Sequence, residues 1–522
     1  MRRIANTFVR QLKPGKRAGG VVLLSVMTAI ALSAQTFTRL HNFSRKGGAS
    51  PYGALVQATS GELYGTTYYG GASQLYTGTV FKTTTGGALT TLYSFCTQTQ
   101  NQNNCPDGEN PQSGLVQAAN GDLYGTTSCF ENGRCYGTIF KITLGGDLTT
   151  LYAFCSHSGC ADGAYPAAGL AQASDGLLYG TTWGGGANGY GGTVFKIDPS
   201  GMLTTLYSFC SQIVSSTCVD GELPYGTMVQ AVDGNLYGTT YSGGANNYGT
   251  VFKITPSGAL TTVYNFCSHS GCTDGSHPYA GLAQAADGTL YGTTYFGGAH
   301  CAPDGCGTVF AIPRSGAFRT LYSFCAESAC TDGANPYAGL VRASDGDLYG
   351  TTAAGGDNGI SYGGDGTIFQ IRPSGGLTHL YSFCAEVGCT DGESPIAGLV
   401  QDTSGNFYGT TSGGGASSDG TLFTLSLGLV PFVKTLPSSG KSGAVIYILG
   451  TDLTGASGVN FNGTPAAFTP ASPVEIVATV PAGATGGTVT VVTPGGTLSS
   501  SAPFEVLSAS PHSSSGALGV GR

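Results

Sequence analysis

Charge is scarce in this chain. Asp, Glu, Lys and Arg make up 10% of its 522 residues, against about 25% in an ordinary globular protein. The balance is acidic, at −8, so nucleic acid is not expected as a partner. Histidine has no pattern. The seven, at positions 41, 157, 269, 277, 300, 379 and 512, hold no fixed place in any repeat and form no His-x3-His pair, which argues against a zinc centre. A Gly-x-Ser-x-Gly elbow, a P-loop and a zinc-hydrolase motif are all missing. Runs such as Gly184-Gly185-Gly186 precede no helical pattern, so they are not phosphate cradles. Between Gln35 and Leu427 no apolar residues recur at helical spacing. The 87 glycines follow no Gly-x-y period, which excludes collagen. Val21–Leu32, an apolar run, is too short for a comfortable membrane span.

What is present is a phrase, Leu-Tyr-Gly-Thr-Thr. It stands at Leu63–Thr67, Leu123–Thr127, Leu178–Thr182, Leu236–Thr240, Leu290–Thr294 and Leu348–Thr352, with Phe407–Thr411 as a seventh copy. Intervals of 54 to 60 residues mark a propeller, a solenoid or an array. Each period offers four short stretches rich in Tyr, Phe, Val and Thr, parted by Gly-rich turns. In the fourth period they are Gly226–Ala231, Asn235–Thr240, Thr250–Ile254 and Leu260–Phe266. Apolar residues fall on both faces, as with Leu203, Leu206, Tyr207 and Phe209, which suits sheets packed face to face with no wet side. The Gly of Tyr-Gly-Thr-Thr, having no Cβ, is expected to admit a neighbouring blade.

The pattern predicts an all-β chain with a seven-bladed β-propeller over residues 35–428. Phe37–Phe43 is a fourth-type strand with no blade before it. Thr421–Leu425 is a third-type strand with no fourth. Pairing the two closes the ring. An open β-solenoid is the alternative, but the period is long for one coil. In such meanders the loops after the second and fourth strands share one face, and the short Asp-Gly and Ser-Gly turns share the other.

Sixteen cysteines form eight close pairs: Cys96/Cys105, Cys129/Cys135, Cys155/Cys160, Cys210/Cys218, Cys267/Cys272, Cys301/Cys306, Cys325/Cys330 and Cys384/Cys389. Each stands alone in its repeat, unlike the doubled Cys-x2-Cys of zinc sites, so local disulfides in an oxidising compartment are expected. Six of the pairs fall in blade-to-blade crossovers. Residues 1–34 read as a secretory signal, with Arg2, Arg3, Arg10, Lys13, Lys16 and Arg17 ahead of Val21–Leu32 and small residues near Ala31 to Ala34. An uncleaved anchor is the alternative. Cleavage would leave 15 basic against 29 acidic residues, a net charge of −14. The expected location is extracellular, cell-surface or periplasmic, with no membrane span in the mature chain.

The phrases Asp-Gly-x-Leu-Tyr-Gly-Thr-Thr, Gly-Thr-Val-Phe-Lys-Ile and Leu-Thr-Thr-Leu-Tyr-Ser-Phe recur from Phe37 to Leu427. Together they resemble the GloVer tandem-repeat family of exported bacterial proteins. That resemblance implies export and a C-terminal anchor or sorting module, and no assigned biochemical role. Residues 429–507 alternate short strands with Gly/Pro turns, the clearest being Val445–Leu449, Gly458–Phe461, Glu475–Val480 and Thr488–Val492. With Ile448-Leu-Gly-Thr451, Val459-Asn-Phe-Asn-Gly463 and Val480-Pro-Ala-Gly483, this stretch resembles an IPT/TIG domain. The resemblance implies an immunoglobulin-like β-sandwich. Its DNA-binding members use basic loops, and here only Lys434 and Lys441 are basic. Residues 508–522 are Ser/Gly-rich and expected to be disordered.

Function in a repeat protein belongs where the copies differ. The residue after Tyr-Gly-Thr-Thr is Tyr68, Ser128, Trp183, Tyr241, Tyr295, Ala353 and Ser412 in turn. Aromatic rings among Asn, Ser and Gly suit the C–H faces of sugars. Tyr68, Trp183, Tyr241 and Tyr295 are therefore the candidate ligand residues, for an extracellular glycan or a surface protein. Their alternative is packing against the Gly-Gly turn of the next blade. An Asp recurs in the stapled crossovers, at Asp107, Asp162, Asp220, Asp274, Asp332 and Asp391. These are either cation ligands or caps of Asx turns, and a residue that repeats with the fold usually serves the fold. No cofactor is expected. A glycan-cleaving enzyme would need carboxylates that break the repeat, such as Glu131, Asp304, Asp357 and Asp365. A purely structural adhesion scaffold needs no site at all.

Overall fold

The structure is a computed structural model that describes residues 35–73, 75–97, 105–129, 135–301, 303–358 and 365–507. The proposed signal, Glu131 and the C-terminal tail lie outside the described residues.

Seven four-stranded antiparallel sheets make up the repeat region. In the first, the order is Val56–Gln57, Leu63–Thr67, Thr79–Thr83 and Leu89–Ser94, from inner to outer strand. The seventh takes Val400–Gln401, Phe407–Thr411 and Thr421–Ser426 from the end of the repeat and Thr36–Asn42 from its beginning. Successive sheets share apolar cores. Tyr64, Val80 and Phe95 of the first pack on Leu123, Phe140 and Ile142 of the second. Phe43, Tyr408 and Leu422 of the seventh pack on Leu55, Leu63 and Phe81 of the first. Seven blades therefore close into a propeller. Helical structure among the described residues is limited to 3₁₀ turns at Ser158–Cys160, Ser270–Cys272 and Ser328–Cys330.

The repeated phrase is explained residue by residue. Its Leu and Tyr are core residues, with Leu63 and Tyr64 both fully buried. The Tyr hydroxyl caps its own turn, as Tyr179 does on Asp175 at 2.7 Å and Tyr349 on Asp345 at 2.7 Å. The first Thr donates to the next blade: Thr66 to the Ser113 carbonyl at 2.9 Å, Thr239 to Ala280 at 2.8 Å. The second Thr meets the Thr of its own third strand, as in Thr67–Thr79 and Thr182–Thr193, both 2.8 Å. Buried hydroxyls are satisfied in this way.

Two expectations need correction. The Gly of this phrase does not face a neighbouring blade. Gly65 pairs with Phe81 of its own sheet, and a Cβ on Gly65 would meet the Phe81 ring at 2.7 Å. A ring laid over a cross-strand Gly fills the space that the missing side chain leaves. The inner strand is also shorter than the sequence suggests. Only Val229–Gln230 pair, not Gly226–Ala231. The preceding residues leave the ladder because they press on the next blade at the axis. A Cβ on Gly281 would lie 2.2 Å from the Thr227 carbonyl oxygen.

Residues 431–507 form a β-sandwich. One sheet holds Lys434–Leu436, Val445–Leu449, Glu475–Thr479 and Phe468–Ser472; the other holds Thr464–Pro465, Gly458–Phe461, Val489–Thr493 and Gly496–Ser499. Val433, Ile446, Ile448, Phe461, Ile476, Val491 and Phe504 fill the space between them.

This sandwich sits on the propeller face that carries the short Asp-Gly turns. A ladder of glutamines runs around that face. Gln117 accepts from the Thr59 backbone N–H at 2.9 Å, Gln172 from Ala119 at 2.9 Å, Gln230 from Ser174 at 2.7 Å and Gln284 from Val232 at 3.2 Å. The sixth blade has Arg342 at this place, and Arg342 donates instead to the Ser501 carbonyl of the sandwich at 2.8 Å. Lys434 of the sandwich donates to the Gln401 carbonyl and lies 5.5 Å from the Phe432 ring. Burial pulls the Lys434 ammonium down to about 8, against the opposing pull of Asp402.

Arg342→Gln should restore the ladder and lose the tie to Ser501. The lost bond is worth about 1 kcal/mol, so cleavage of residues 427–431 by a trace protease should quicken by roughly fivefold. Unchanged cleavage would show that the tie does not hold the sandwich.

Candidate ligand site at the mouth of the central channel

Each blade enters its inner strand through a proline: Pro51, Pro111, Pro166, Pro224, Pro278, Pro336 and Pro395. The Pro seats against a Gly of the preceding blade, as Pro111 does against Gly78. A fixed φ and a close-packed ring hold the next residue toward the axis. That residue is Tyr52, Gln112, Ala167, Tyr225, Tyr279, Tyr337 and Ile396, and all seven line one axial cavity of about 380 Å³. The remaining lining is Gly, Ala, Ser113, Thr227, Met228, Val229 and leucines, and among the described residues no charged or imidazole side chain lines it.

Tyr225, Tyr279 and Tyr337, on successive blades, form a continuous arc. Tyr279 lies 5.1 Å from Tyr225 and 4.6 Å from Tyr337, stacked on the latter. Their hydroxyls influence one another. Burial first, and the neighbouring hydroxyls of Tyr241, Tyr337 and Tyr225 second, push the Tyr279 phenol well above its usual value. Tyr337 is pushed up to about 12 by burial and by Tyr52, Tyr295 and Tyr241. These phenols remain protonated donors at any physiological pH.

The aromatic residues singled out in the sequence stand one layer behind the lining tyrosines. Tyr68 is 3% exposed and stacks on Tyr52 at 4.9 Å. Trp183 lies 6.1 Å from Tyr225. Tyr241 lies 4.6 Å from Tyr279, and Tyr295 lies 5.3 Å from Tyr279 and 6.0 Å from Tyr337. None of the four lines the cavity. They pack against the tyrosines that do. Sequence reasoning missed Tyr52, Tyr225, Tyr279 and Tyr337. The signal was present, since Pro and Gly recur around that position while the residue itself varies. The loops after the second strand and the crossovers do share this face, joined by bridges such as Ala164–Gly184 and Ser276–Phe296.

The repeated aspartates serve the crossovers. Asp274 is fully buried and accepts from the Tyr264 hydroxyl at 2.7 Å and the Ser268 and His269 N–H groups at 2.8 and 3.2 Å. Asp332 and Asp391 repeat the pattern with Tyr322 and Tyr381 at 2.8 Å, Asp220 accepts from Tyr207 at 2.7 Å, and Asp107 accepts from Tyr93 at 2.9 Å. At Asp162 burial opposes the charge, but hydrogen bonds from Tyr152 and Ser156 prevail and hold its carboxyl below the usual value. One carboxylate oxygen of each accepts hydrogen bonds from the crossover, as a cap does; the buried Oδ1 of Asp107 and of Asp220 has no hydrogen-bond partner among the described residues. Disulfides are formed for all eight expected pairs, six of them in these crossovers. Asp304, Asp357 and Asp365 are not among the residues lining the cavity. Burial and Asp391 push the Asp365 carboxyl up.

Asp274→Ala should leave Tyr264 and two backbone donors unpaired in the interior. Hydrogen bonds to a charged group are worth about 1.5–3 kcal/mol, so equilibrium denaturation should show a loss of roughly 3 kcal/mol or more. Calcium should not shift the midpoint of the unsubstituted protein. A calcium-dependent midpoint would make these carboxylates ligands after all.

A family model, the Gloeobacter/Verrucomicrobia repeat, matches residues 16–219, 210–423 and 269–467. The chain belongs to the Gloeobacter/Verrucomicrobia repeat family. Residues 431–506 match the IPT/TIG domain, in agreement with the sandwich observed there. No curated protein sequence matches this member of the repeat family. Among solved structures it is similar to a putative gluconolactonase, at 12% identity over 76% of this chain and 94% of that one, with a TM-score of 0.35. It is also similar to a protein of unknown function from Bacteroides thetaiotaomicron, at 12% identity over 75% and 76%, with a TM-score of 0.39. Both likenesses are distant. A repeat protein that carries an IPT/TIG domain has the make-up of an interaction module. Eight disulfides suit an oxidising environment, and among the described residues no helix is long and apolar enough to cross a membrane.

Proposed function

We propose that this Gloeobacter/Verrucomicrobia repeat chain is an exported binding module that takes a neutral extracellular glycan at the tyrosine-lined mouth of its central channel. The observation that carries the reading is the lining itself: four tyrosines converging on an axial cavity that has no charged side chain among its described lining residues. Phenol rings stack on the C–H faces of a sugar while their hydroxyls donate to its oxygens. A cavity near 380 Å³ sits at the small end of ligand sites, about 300–1,000 Å³, which is room for one or two sugar rings. Gln112 adds an amide with no hydrogen-bond partner among the described residues, set to meet ring hydroxyls. Trp183, Tyr241, Tyr295 and Tyr68 pack behind these tyrosines. Catalysis of glycan cleavage calls for a carboxylate pair at the reacting bond, and the cavity lining supplies none. Export rests on the basic n-region, the short apolar run and the disulfides.

The test is calorimetric titration with cello-, xylo-, manno-, malto- and chitohexaose. One of them should bind, and Tyr279→Ala should weaken it at least tenfold, the loss of about 1.4 kcal/mol or more of stacking. Affinity should be level from pH 7 to 9, because no lining group titrates there. Release of shorter oligosaccharides during the titration, or binding indifferent to Tyr279→Ala, would overturn the reading.

A further inference from the structure

The far end of the cavity, on the face of the short turns, lies under the IPT/TIG sandwich, which is tied to the seventh, sixth and first blades. The seventh blade is held through Lys434 and the Gln401 carbonyl, and through the Phe432 N–H on the Thr403 carbonyl at 3.0 Å. The sixth is held by Arg342 on Ser501 at 2.8 Å. At the first blade, Val474 packs over Gly61, where a Cβ would find it at 3.2 Å. Thr435–Ser439 of the sandwich line a cleft of about 380 Å³ together with Val116 of the second blade, Ala171 of the third and Val229 of the fourth. Met228 and Val229 line both the axial cavity and this cleft, and Ser438 also borders a second cleft with Gln284 of the fifth blade and Arg342 of the sixth. The sandwich therefore stands across the far end of the channel.

We infer that the site reads the end of a neutral glycan chain, not its interior; this rests on the glycan reading given above. An extended polymer cannot run straight through a channel with a folded domain across its far end, so a chain enters end-on. The order of the blades places Tyr279 of the fifth across the axis from Tyr52 of the first and Gln112 of the second. A terminal ring lying on Tyr279 would thus present its hydroxyl edge to the Gln112 amide. Internal residues, carrying a glycosidic bond on both sides, would need a second opening.

The experiment uses the full chain with galactomannan, xylan, mixed-linkage β-glucan and soluble starch as probes. Each is compared before and after limited endo-hydrolysis that multiplies chain ends without changing total sugar, and maltoheptaose is compared with its ring-closed form, β-cyclodextrin. For any polysaccharide that binds, capacity per gram should rise in proportion to the ends created. Gln112→Ala should weaken that binding about tenfold, with the melting temperature unchanged. Capacity that stays constant as ends multiply, or β-cyclodextrin binding equal to maltoheptaose and lost with Tyr279→Ala, would overturn chain-end recognition while leaving the glycan site standing. No binding to any probe, together with none to the hexaoses, would overturn both.

Discussion

Deleting residues 35–43 is expected to abolish the folded monomer. Thr36–Asn42 is the outer strand of the seventh blade, in register with Thr421–Ser426. Its Phe37 stacks on Tyr381 at 3.8 Å and packs on Phe423 at 5.4 Å. Phe43 is 2% exposed in the core shared by the seventh and first blades, and Leu40 packs against it. Burying an aromatic or leucine side chain contributes about 1.5–3 kcal/mol. Three such side chains and a strand's ladder together rival the whole stability of a typical domain, about 5–15 kcal/mol. The exposed Thr421–Ser426 edge would also template association. Soluble expression should collapse, and any recovered protein should elute as aggregate. A monomer with an unchanged melting curve would mean that the ring closes by other contacts.

Full reduction is expected to unfold the propeller. Six disulfides close short loops in the crossovers, with separations of 5 to 9 residues. Loops of that size contribute on the order of 2 kcal/mol each in the chain-entropy model. The crossover cysteines also occupy a left-handed backbone, as at Cys155 (φ 60°), Cys160 (φ 53°), Cys267 (φ 56°) and Cys272 (φ 52°), a conformation that costs about 1–2 kcal/mol for a non-glycine residue. With the bonds gone, those residues relax and the Asp caps lose their loops. Far-UV dichroism in denaturant-free reductant should lose its β signal, with all 16 cysteines alkylated. The paired change Cys267→Ser with Cys272→Ser should cost only about 2 kcal/mol. Full alkylation of a still-folded chain would show that the crossovers hold without their bonds.

Much of this fold was legible because the repeat states it seven times. The Leu-Tyr-Gly-Thr-Thr copies, the odd strands at each end of the repeat, and the cysteine pairs all stand in the structure as the pattern implies. Even the third strand of the fourth blade keeps the predicted limits, Thr250–Ile254. What local pattern could not supply is tertiary. The inner strand loses Gly226–Met228 to the axis because neighbouring backbones meet there, as the 2.2 Å approach to Gly281 shows. The space above Gly65 is taken by Phe81 of its own sheet, a cross-strand relation invisible along the chain.

The site was half legible for a related reason. Trp183, Tyr241 and Tyr295 were found by their variation, yet the residues that reach the cavity are Tyr225, Tyr279 and Tyr337. Both sets vary between copies, and only the proline before the second set turns it toward the axis. Arg342 stands where the other six copies have Gln, a departure not singled out from the sequence, and its partner Ser501 lies 159 residues away. A contact at that separation has no local signature.

The most direct measurement is a crystal structure of the full chain with whichever hexaose binds. A terminal sugar ring stacked on Tyr279 inside the axial cavity, within hydrogen-bond reach of Gln112 and with the IPT/TIG sandwich across the far end of the channel, is the predicted result. A sugar seated on the outer rim of the blades, with the axial cavity holding only solvent, would contradict it.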